Sequence, residues 1–306
     1  MTNSLELFES DLRPMEYWAM LADDKLNAWA AGKVEGFSTG FPTLDRNFRL
    51  VNSELTVIAA ASSMGKTALA MQMCESIARQ IRERGDNGCV AIFSAEMTGW
   101  HLVMRMAGAW AGVSIHGARM GKLTPADYAR LREAVRELRQ LPIWIDDGSG
   151  PTTETMFARL DELNKTNPVR AMMFDFMELG GNKAQSEEQR VGGISMALKE
   201  IAKKLEIPVI ALSQVNRNVE ASSTKVPNMS DLRYSATIGH IADIAMFVMR
   251  PEYYLDRGME CKVPDEDRQG VAYINIGKNR HGPPTMEKLA FVKKLVKFGE
   301  LERGQA

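Results

Sequence analysis

From Leu55 onward the chain alternates short β-rich runs with amphipathic helical stretches, and that alternation constrains the fold more than any other feature. The runs are LTVIAA, CVAIFS, IWID, AMMFD, PVIALS, DIAMFVM and VAYINIG. Several are apolar throughout, as strands covered on both faces are. Strands separated by helices pair in parallel, so the pattern predicts an α/β fold with a mostly parallel sheet flanked by helices. Two late runs, VAYINIG and KLAFVKKLVKF, are joined through Gly-Pro-Pro and predict an antiparallel edge hairpin. Ahead of the body, Pro14 to Gly32 reads as a helix closed by a glycine C-cap. Its Tyr17, Trp18, Leu21, Leu26 and Trp29 are too many apolar positions for a helix with nothing to lie on. The turn-rich VEGFSTGFPTLDR follows as a linker. The expected organisation is an N-terminal arm over residues 1–35 and one α/β domain over 36–306.

Bulk chemistry narrows the function classes. No apolar run is long enough to span a bilayer, and the N-terminus has acidic residues and no basic region, unlike a secretory signal. Cys74, Cys89 and Cys261 lie far apart with no paired spacing, which argues against a zinc site or disulfide framework and suits a reducing cytoplasm. The formal net charge of −1 gives no bulk support for nucleic-acid binding. A ring or filament can still gather a few basic loops on one surface.

The strand-like LTVIAA runs directly into Ala61-Ser62-Ser63-Met64-Gly65-Lys66-Thr67, and a helical stretch starting at Ala68 follows. This is the strand, tight loop and helix order of a P-loop. Consecutive backbone N–H groups at a helix N-terminus meet phosphate, aided by the positive end of the helix dipole. Ser63 to Ala68 therefore form the candidate nucleotide-binding segment. Lys66 would reach the β- and γ-phosphates of ATP or another nucleoside triphosphate, and Thr67 would ligate Mg²⁺. Ala60 stands where the motif usually has glycine.

Hydrolysis also needs an acid to hold the metal and a group to orient water. Asp175 ends AMMFD after four apolar residues, the Walker B pattern, and is the second candidate Mg²⁺ ligand. Glu96 follows CVAIFS and could polarise the attacking water; the alternative is a glutamate in the first turn of the next helix. Gln214 follows PVIALS, where an amide can both donate to a γ-phosphate and accept from its water. All of these fall at the carboxyl ends of expected parallel strands, where open α/β sheets bind ligands.

Beyond these residues the chain resembles the replicative hexameric DNA helicases of the DnaB type, whose motor domain is a RecA-like P-loop NTPase. The resemblance spans nearly everything from Gly36 onward. It is carried by STGFPTLDR, AASSMGKTAL, VAIFSAEM with MRM, FDFMEL, LKEIAKKLEIPVIALSQVNR, MSDLRYSATIGHIADIAMFVMRPEYY, and INIGKNRHGP with KLAF. It implies a homo-hexamer that moves along single-stranded DNA, 5′ to 3′, while hydrolysing nucleotide at subunit boundaries. Lys66, Thr67, Glu96, Asp175 and Gln214 match the family's P-loop pair, catalytic glutamate, Walker B acid and sensor. Lys278 and Arg280 match a Lys-x-Arg that reaches the neighbour's nucleotide, and both are expected on the turn of the edge hairpin. The family's strand-gripping loop corresponds to Arg233, Tyr234, Ser235 and Ala236.

There are departures. Tyr234 replaces an acidic residue, Ala236 a glycine, and Gly239, His240 and Ile241 the usual acidic and amide residues. The polar stretch from Gly180 to Gly193 is a further candidate channel loop. The family's helical N-terminal domain, which meets primase, has only the helical arm in its place. That arm resembles the linker helix that docks on an adjacent subunit. A short viral or plasmid-type relative, or a chain with a domain cut away, is expected, acting in a bacterial cytoplasm with a loader or primase as partner. A RecA-type recombinase or recombination mediator forming filaments on single-stranded DNA would carry nearly the same core residues. An ATPase with no DNA substrate is the third reading.

Overall fold

The apolar runs close into one sheet because each can be buried on both faces only between layers of helix. The structure, a computed structural model, describes residues 12–232 and 235–301. Its strands are β1 (Leu55–Ala60), β2 (Cys89–Ser94), β3 (Ile143–Asp146), β4 (Val169–Asp175), β5 (Val209–Gln214), β6 (Ile244–Met249), β7 (Val271–Asn279), β8 (Thr285–Val292) and β9 (Lys297–Gly299). They pair in the order β3-β2-β4-β5-β1-β6-β7-β8-β9. The first six of that order run parallel, and β7, β8 and β9 add on antiparallel. The expected hairpin is thus a three-stranded edge.

The helices are α1 (Met15–Ala30), α2 (Pro42–Asp45), α3 (Lys66–Glu83), α4 (Gly99–Ala111), α5 (Ile115–Arg119), α6 (Pro125–Leu138), α7 (Thr153–Asn164), α8 (Glu187–Lys204), α9 (Ser235–Ile241) and α10 (Pro251–Leu255). Alternate residues of β1 enter different cores, as a strand's two-residue period requires. Ile58 and Ala60 pack with Leu69, Met73 and Ile77 of α3 and with α4 and α6. Val57 and Ala59 pack with Met156 of α7 and Ile194 and Leu198 of α8. With both faces covered, only the ends of the strands are left to reach ligands. Truncating a residue such as Leu198, fully buried here, to Ala should cost about 2–5 kcal/mol.

The chain divides into two units, Met1–Gly36 and Phe37–Ala306. Within the first, α1 ends as its sequence implies: Gly32 has φ +75° just past the helix, and its N–H donates to Trp29 O. Tyr17, Trp18, Leu21, Leu26 and Trp29 are 41–56% exposed.

Two local expectations are corrected. The stretch read as a linker belongs, from Phe37, to the second unit's core. Phe37, Phe41 and Leu44 are buried, Phe37 bridges Leu50, and Asp45 accepts from Thr39 N–H at 2.8 Å. The polar stretch from Gly180 to Gly193 is a loop only as far as Ser186. Ser186 caps α8 by accepting from Gln189 N–H, so Glu187 to Gly193 are helical, with Val191 and Gly192 buried. Of the DNA-contact candidates, Arg233 and Tyr234 lie outside the described residues, while the backbone of Ser235 and Ala236 opens α9 rather than continuing a loop.

Candidate nucleotide-binding and hydrolysis site

The 18-residue helix α3 has no side-chain N-cap and no acidic residue in its first turn, so its leading N–H groups and positive dipole end are left for an anion. The loop before it turns through left-handed backbone at Ser63 (φ +65°) and Gly65 (φ +95°). Glycine is needed at the second position twice over. Beyond its φ, a Cβ there would stand 3.1 Å from the Phe298 ring and 3.3 Å from Phe291. Those two rings, edge to face at 4.8 Å, back the loop from β8 and β9. Met64 is buried inside the turn, Ser63 is exposed, and Ala68 is half-buried on the first turn of the helix.

Sequence-distant groups meet in front of this loop. Thr67 Oγ1 donates to Asp175 Oδ2 at 2.9 Å, across 108 residues of sequence. Burial pushes the Asp175 carboxyl up to about 6 from its ordinary 3.8. The Lys66 charge and the Thr67 hydroxyl oppose that rise, nearby Glu96 adds to it, and Arg105 draws it down. The Lys66 ammonium lies 4.7 Å from the Phe176 ring centroid and is buried. Glu96 is exposed in the bend between β2 and α4. Since α4 begins only at Gly99, the glutamate is not a first-turn helix residue. Gln214 ends β5, level with Ala60 of β1, and its N–H donates to Glu178 Oε1 at 2.8 Å.

The donor set suits Mg²⁺. Asp175 Oδ1 is buried and has no hydrogen-bond partner, so an oxygen stands ready for a cation or its water. One carboxylate and one hydroxyl are few ligands, but Mg²⁺ keeps several waters and takes phosphate oxygens. Among the described residues no cluster of three or more His, Cys, Asp or Glu could hold a metal unaided.

Three further groups here have no role that the sequence alone suggests. Glu178 accepts from Ser213 Oγ at 2.7 Å as well as from Gln214, its other oxygen is buried without a partner, and burial raises its pKa. The Arg250 guanidinium, stacked 3.9 Å from the Phe291 ring centroid and paired with Glu252 at 3.2 Å, lies behind the loop within 3.4 Å of Ser63 O. Arg105 lines a cleft of 740 Å³ between the start of α4 and the β8–β9 turn, together with His101, Arg119, Lys293 and Lys294. Arg105 and Val296 also line a hollow over Thr67 and Ala68. For Glu178 and Arg250 the signal in sequence is a charged residue shortly past an apolar strand, and for Arg105 a charge within an apolar helix; both are common and specify no role.

Lys278 and Arg280 are not part of this cluster. Lys278 is in the last turn of β7's pleat rather than on the hairpin turn, which begins with Arg280. The register puts Ile244 opposite Asn279 and, on the other side of β6, opposite Thr56. Arg280 therefore lies at the amino end of β1 and β6, while the P-loop leaves the carboxyl end of β1. At about 3.3 Å per residue, the five steps from Leu55 to Ala60 separate the two by roughly 17 Å.

A sheet with this strand order and a P-loop on its central strand defines a RecA-like P-loop ATPase fold. A family model described as DnaB-like helicase C terminal domain matches residues 36–300, and the chain belongs to that family. It is 37% identical over 276 residues to the replicative DNA helicase DnaB of Geobacillus stearothermophilus, covering 89% of this chain and 58% of that protein. The replicative DNA helicase DnaC of Bacillus subtilis matches with the same identity and coverage. Among solved structures, the ATPase domain of G40P superposes with a TM-score of 0.84 at 27% identity, covering 95% of this chain and all of that one. A DnaB-like replicative helicase described with its interactions with primase gives 0.77 at 30% identity, covering 88% and 64%. The chain thus spans about three-fifths of the curated relatives it matches. Among the described residues no helix is long and apolar enough to cross a membrane.

Proposed function

We propose that this chain is the motor portion of an ATP-hydrolysing DNA helicase of replication, an arm over residues 1–35 preceding a motor over 36–306. The observation that carries the reading is the meeting of Thr67 and Asp175 beside an uncapped helix N-terminus, in a chain of the DnaB-like family. Ser63 to Ala68 cradle the phosphates through backbone N–H groups, and Lys66 leaves the Phe176 ring to reach the β- and γ-phosphates. Thr67 and Asp175 would hold Mg²⁺, and the chemistry it would supply there is neutralisation of phosphate charge. Glu96, exposed at the mouth of the site, accepts the proton of the attacking water. Gln214 senses the γ-phosphate, its backbone fixed by Glu178. The ribose and base extend into the cationic cleft beside Arg105.

Arg280 cannot serve its own nucleotide from the far end of a rigid sheet. Its role, with Lys278, is to complete a neighbour's site within a homo-hexamer, where a guanidinium supplied in trans stabilises transition-state charge. The segment Arg233, Tyr234, Ser235 and Ala236 grips single-stranded DNA through phosphate contacts that read no bases, with travel 5′ to 3′. The setting is a bacterial cytoplasm, for a host, phage or plasmid protein, with a loader or primase as further partner.

Arg280→Ala should leave nucleotide binding intact and lower turnover by about 10³-fold. Lys66→Ala should be inactive because the mobile cation is lost. Mixing the two proteins should restore weak hydrolysis, since some boundaries then pair an intact P-loop with an intact Arg280. Mixed assemblies that form and stay inactive would remove the shared-site reading.

A further inference from the structure

Arg280 is held by a side chain that the function above does not use. Asp243 stands just before β6, buried to 2% exposure, and divides its two oxygens between different tasks. Oδ2 accepts from Leu55 N–H at 2.8 Å and from the Lys199 ammonium at 2.6 Å. Oδ1 pairs with Arg280 Nη1 at 2.7 Å. The backbone repeats the link, because Arg280 N–H donates to Asp243 O at 2.9 Å and Asp243 N–H donates to Leu55 O. The residues on either side of Arg280 are fixed too. Asn279 Nδ2 donates to Asn47 O at 3.1 Å, and His281 Nε2 lies 2.9 Å from Glu54 Oε1. Two residues back, the Lys278 ammonium donates to Gly239 O and His240 O at the end of α9.

The form of this contact decides between sequestering the arginine and aiming it. A guanidinium shut away by a carboxylate would be buried and bound as a two-pronged fork. Here Oδ2 is taken by Leu55 and Lys199, so Asp243 offers the guanidinium one oxygen, and the Arg280 side chain is 47% exposed. A guanidinium has five N–H donors, and one bond to Asp243 leaves the others for a second anion. Asp243 is in turn immobile, tied to β1 and α8. We propose that Asp243 is a positioning residue for catalysis in trans: it locks the rotamer of Arg280 so that the outward edge of the guanidinium meets the neighbour's γ-phosphate already oriented. This rests on the shared-site reading. Without Asp243 the arginine would reach the same phosphate only from a wider set of rotamers, and the entropy of ordering it would fall on the transition state.

The test is a double-mutant cycle on the full chain, measuring hydrolysis with saturating single-stranded DNA. Asp243→Asn keeps the shape and an acceptor for Leu55 N–H but loses the charge-assisted bond. It should lower kcat about tenfold, the worth of one charged hydrogen bond, and leave KM unchanged. In the Arg280→Ala background the same substitution should cost less than about twofold, because its effect runs through Arg280 alone. An equal fold loss in both backgrounds would show that Asp243 merely fastens the ends of β1 and β6. A wild-type rate for Asp243→Asn alone would end the proposal as well. Should Asp243→Asn fail to fold because Lys199 is left without its carboxylate, Asp243→Asn with Lys199→Met removes both charges and runs the same cycle. If Arg280→Ala itself hydrolyses normally, the shared-site reading falls and takes this one with it. If it does not, a failed cycle condemns Asp243 alone.

Discussion

Replacing Asp175 with Asn should make the nucleotide-free protein more stable and abolish its hydrolysis in the same step. The carboxyl is fully buried, and burial lifts its pKa to about 6 from 3.8, against the pull of Lys66 and Thr67. A raised carboxylate pKa means the folded state holds the proton more tightly than the unfolded chain does. The ionised form therefore carries a folding penalty that is absent well below 3.8, grows as pH rises, and is complete above about 6. The gap corresponds to ~3 kcal/mol near pH 7 and shrinks to a small fraction of that near pH 4. Asn matches the shape and accepts from Thr67 through its amide oxygen, but has no charge to bury. Each kcal/mol moves Tm by about 2–4 °C in a domain somewhat smaller than this, so the variant should melt roughly 6–12 °C higher at pH 7 and almost level with the parent at pH 4. Calorimetry across that range, without Mg²⁺ or nucleotide, reads it directly. Added Mg²⁺ and nucleotide should narrow or reverse the difference, because the parent with its metal-holding carboxylate gains more binding energy on folding. Stability curves that run parallel from pH 4 to pH 7 would refute the reasoning, since they would mean that no charge is being buried at this position.

Other substitutions separate the remaining roles. Glu96→Gln should bind nucleotide normally and turn over roughly 10²–10⁴-fold more slowly, and a wild-type rate in single-turnover assays would dismiss Glu96 as the base. Gly65→Ala should abolish nucleotide binding in a fluorescence titration, because both its φ and the Phe298 ring exclude a Cβ; retained affinity would show that the loop can re-form around the methyl group. Arg233→Ala should weaken single-strand binding about equally for every sequence and flatten its dependence on salt, whereas an unchanged salt slope would take that segment off the DNA.

What the sequence made legible follows from what each feature depends on. The strands β1, β2 and β4 to β6 were readable because burial on both faces leaves a continuous apolar run. The P-loop was readable because its chemistry is local, carried by seven consecutive residues, Ala61 to Thr67, at a strand-to-helix junction. The start of α8 is hard to read as helix because its first turn, Glu187-Glu188-Gln189-Arg190, is polar, although Ser186 ahead of it is a good N-cap. β9 is three residues long and exists only through its pairing with β8. Asp243 could not be singled out, since its partners are Leu55, Lys199 and Arg280, brought together only once β1, β6 and β7 lie side by side. Glu178, Arg250 and Arg105 share that limit. Each is a charge whose meaning comes from what packs over it.

The placement of the P-loop and Arg280 at opposite ends of the same strands gives the chain a donor end and an acceptor end. If Arg280 serves a neighbour's nucleotide as proposed, contacts between copies are head-to-tail, one surface meeting a different one, and not a patch meeting itself. Under that proposal a lone chain would own both halves of the chemistry and could join neither, so dilution should extinguish turnover cooperatively while nucleotide affinity persists. An open row of chains always leaves one end with an arginine and no site to serve, and the other with a site and no arginine. Closing the row into a circle would recover that last active site, and so would couple the geometry of assembly to the rate of the proposed motor.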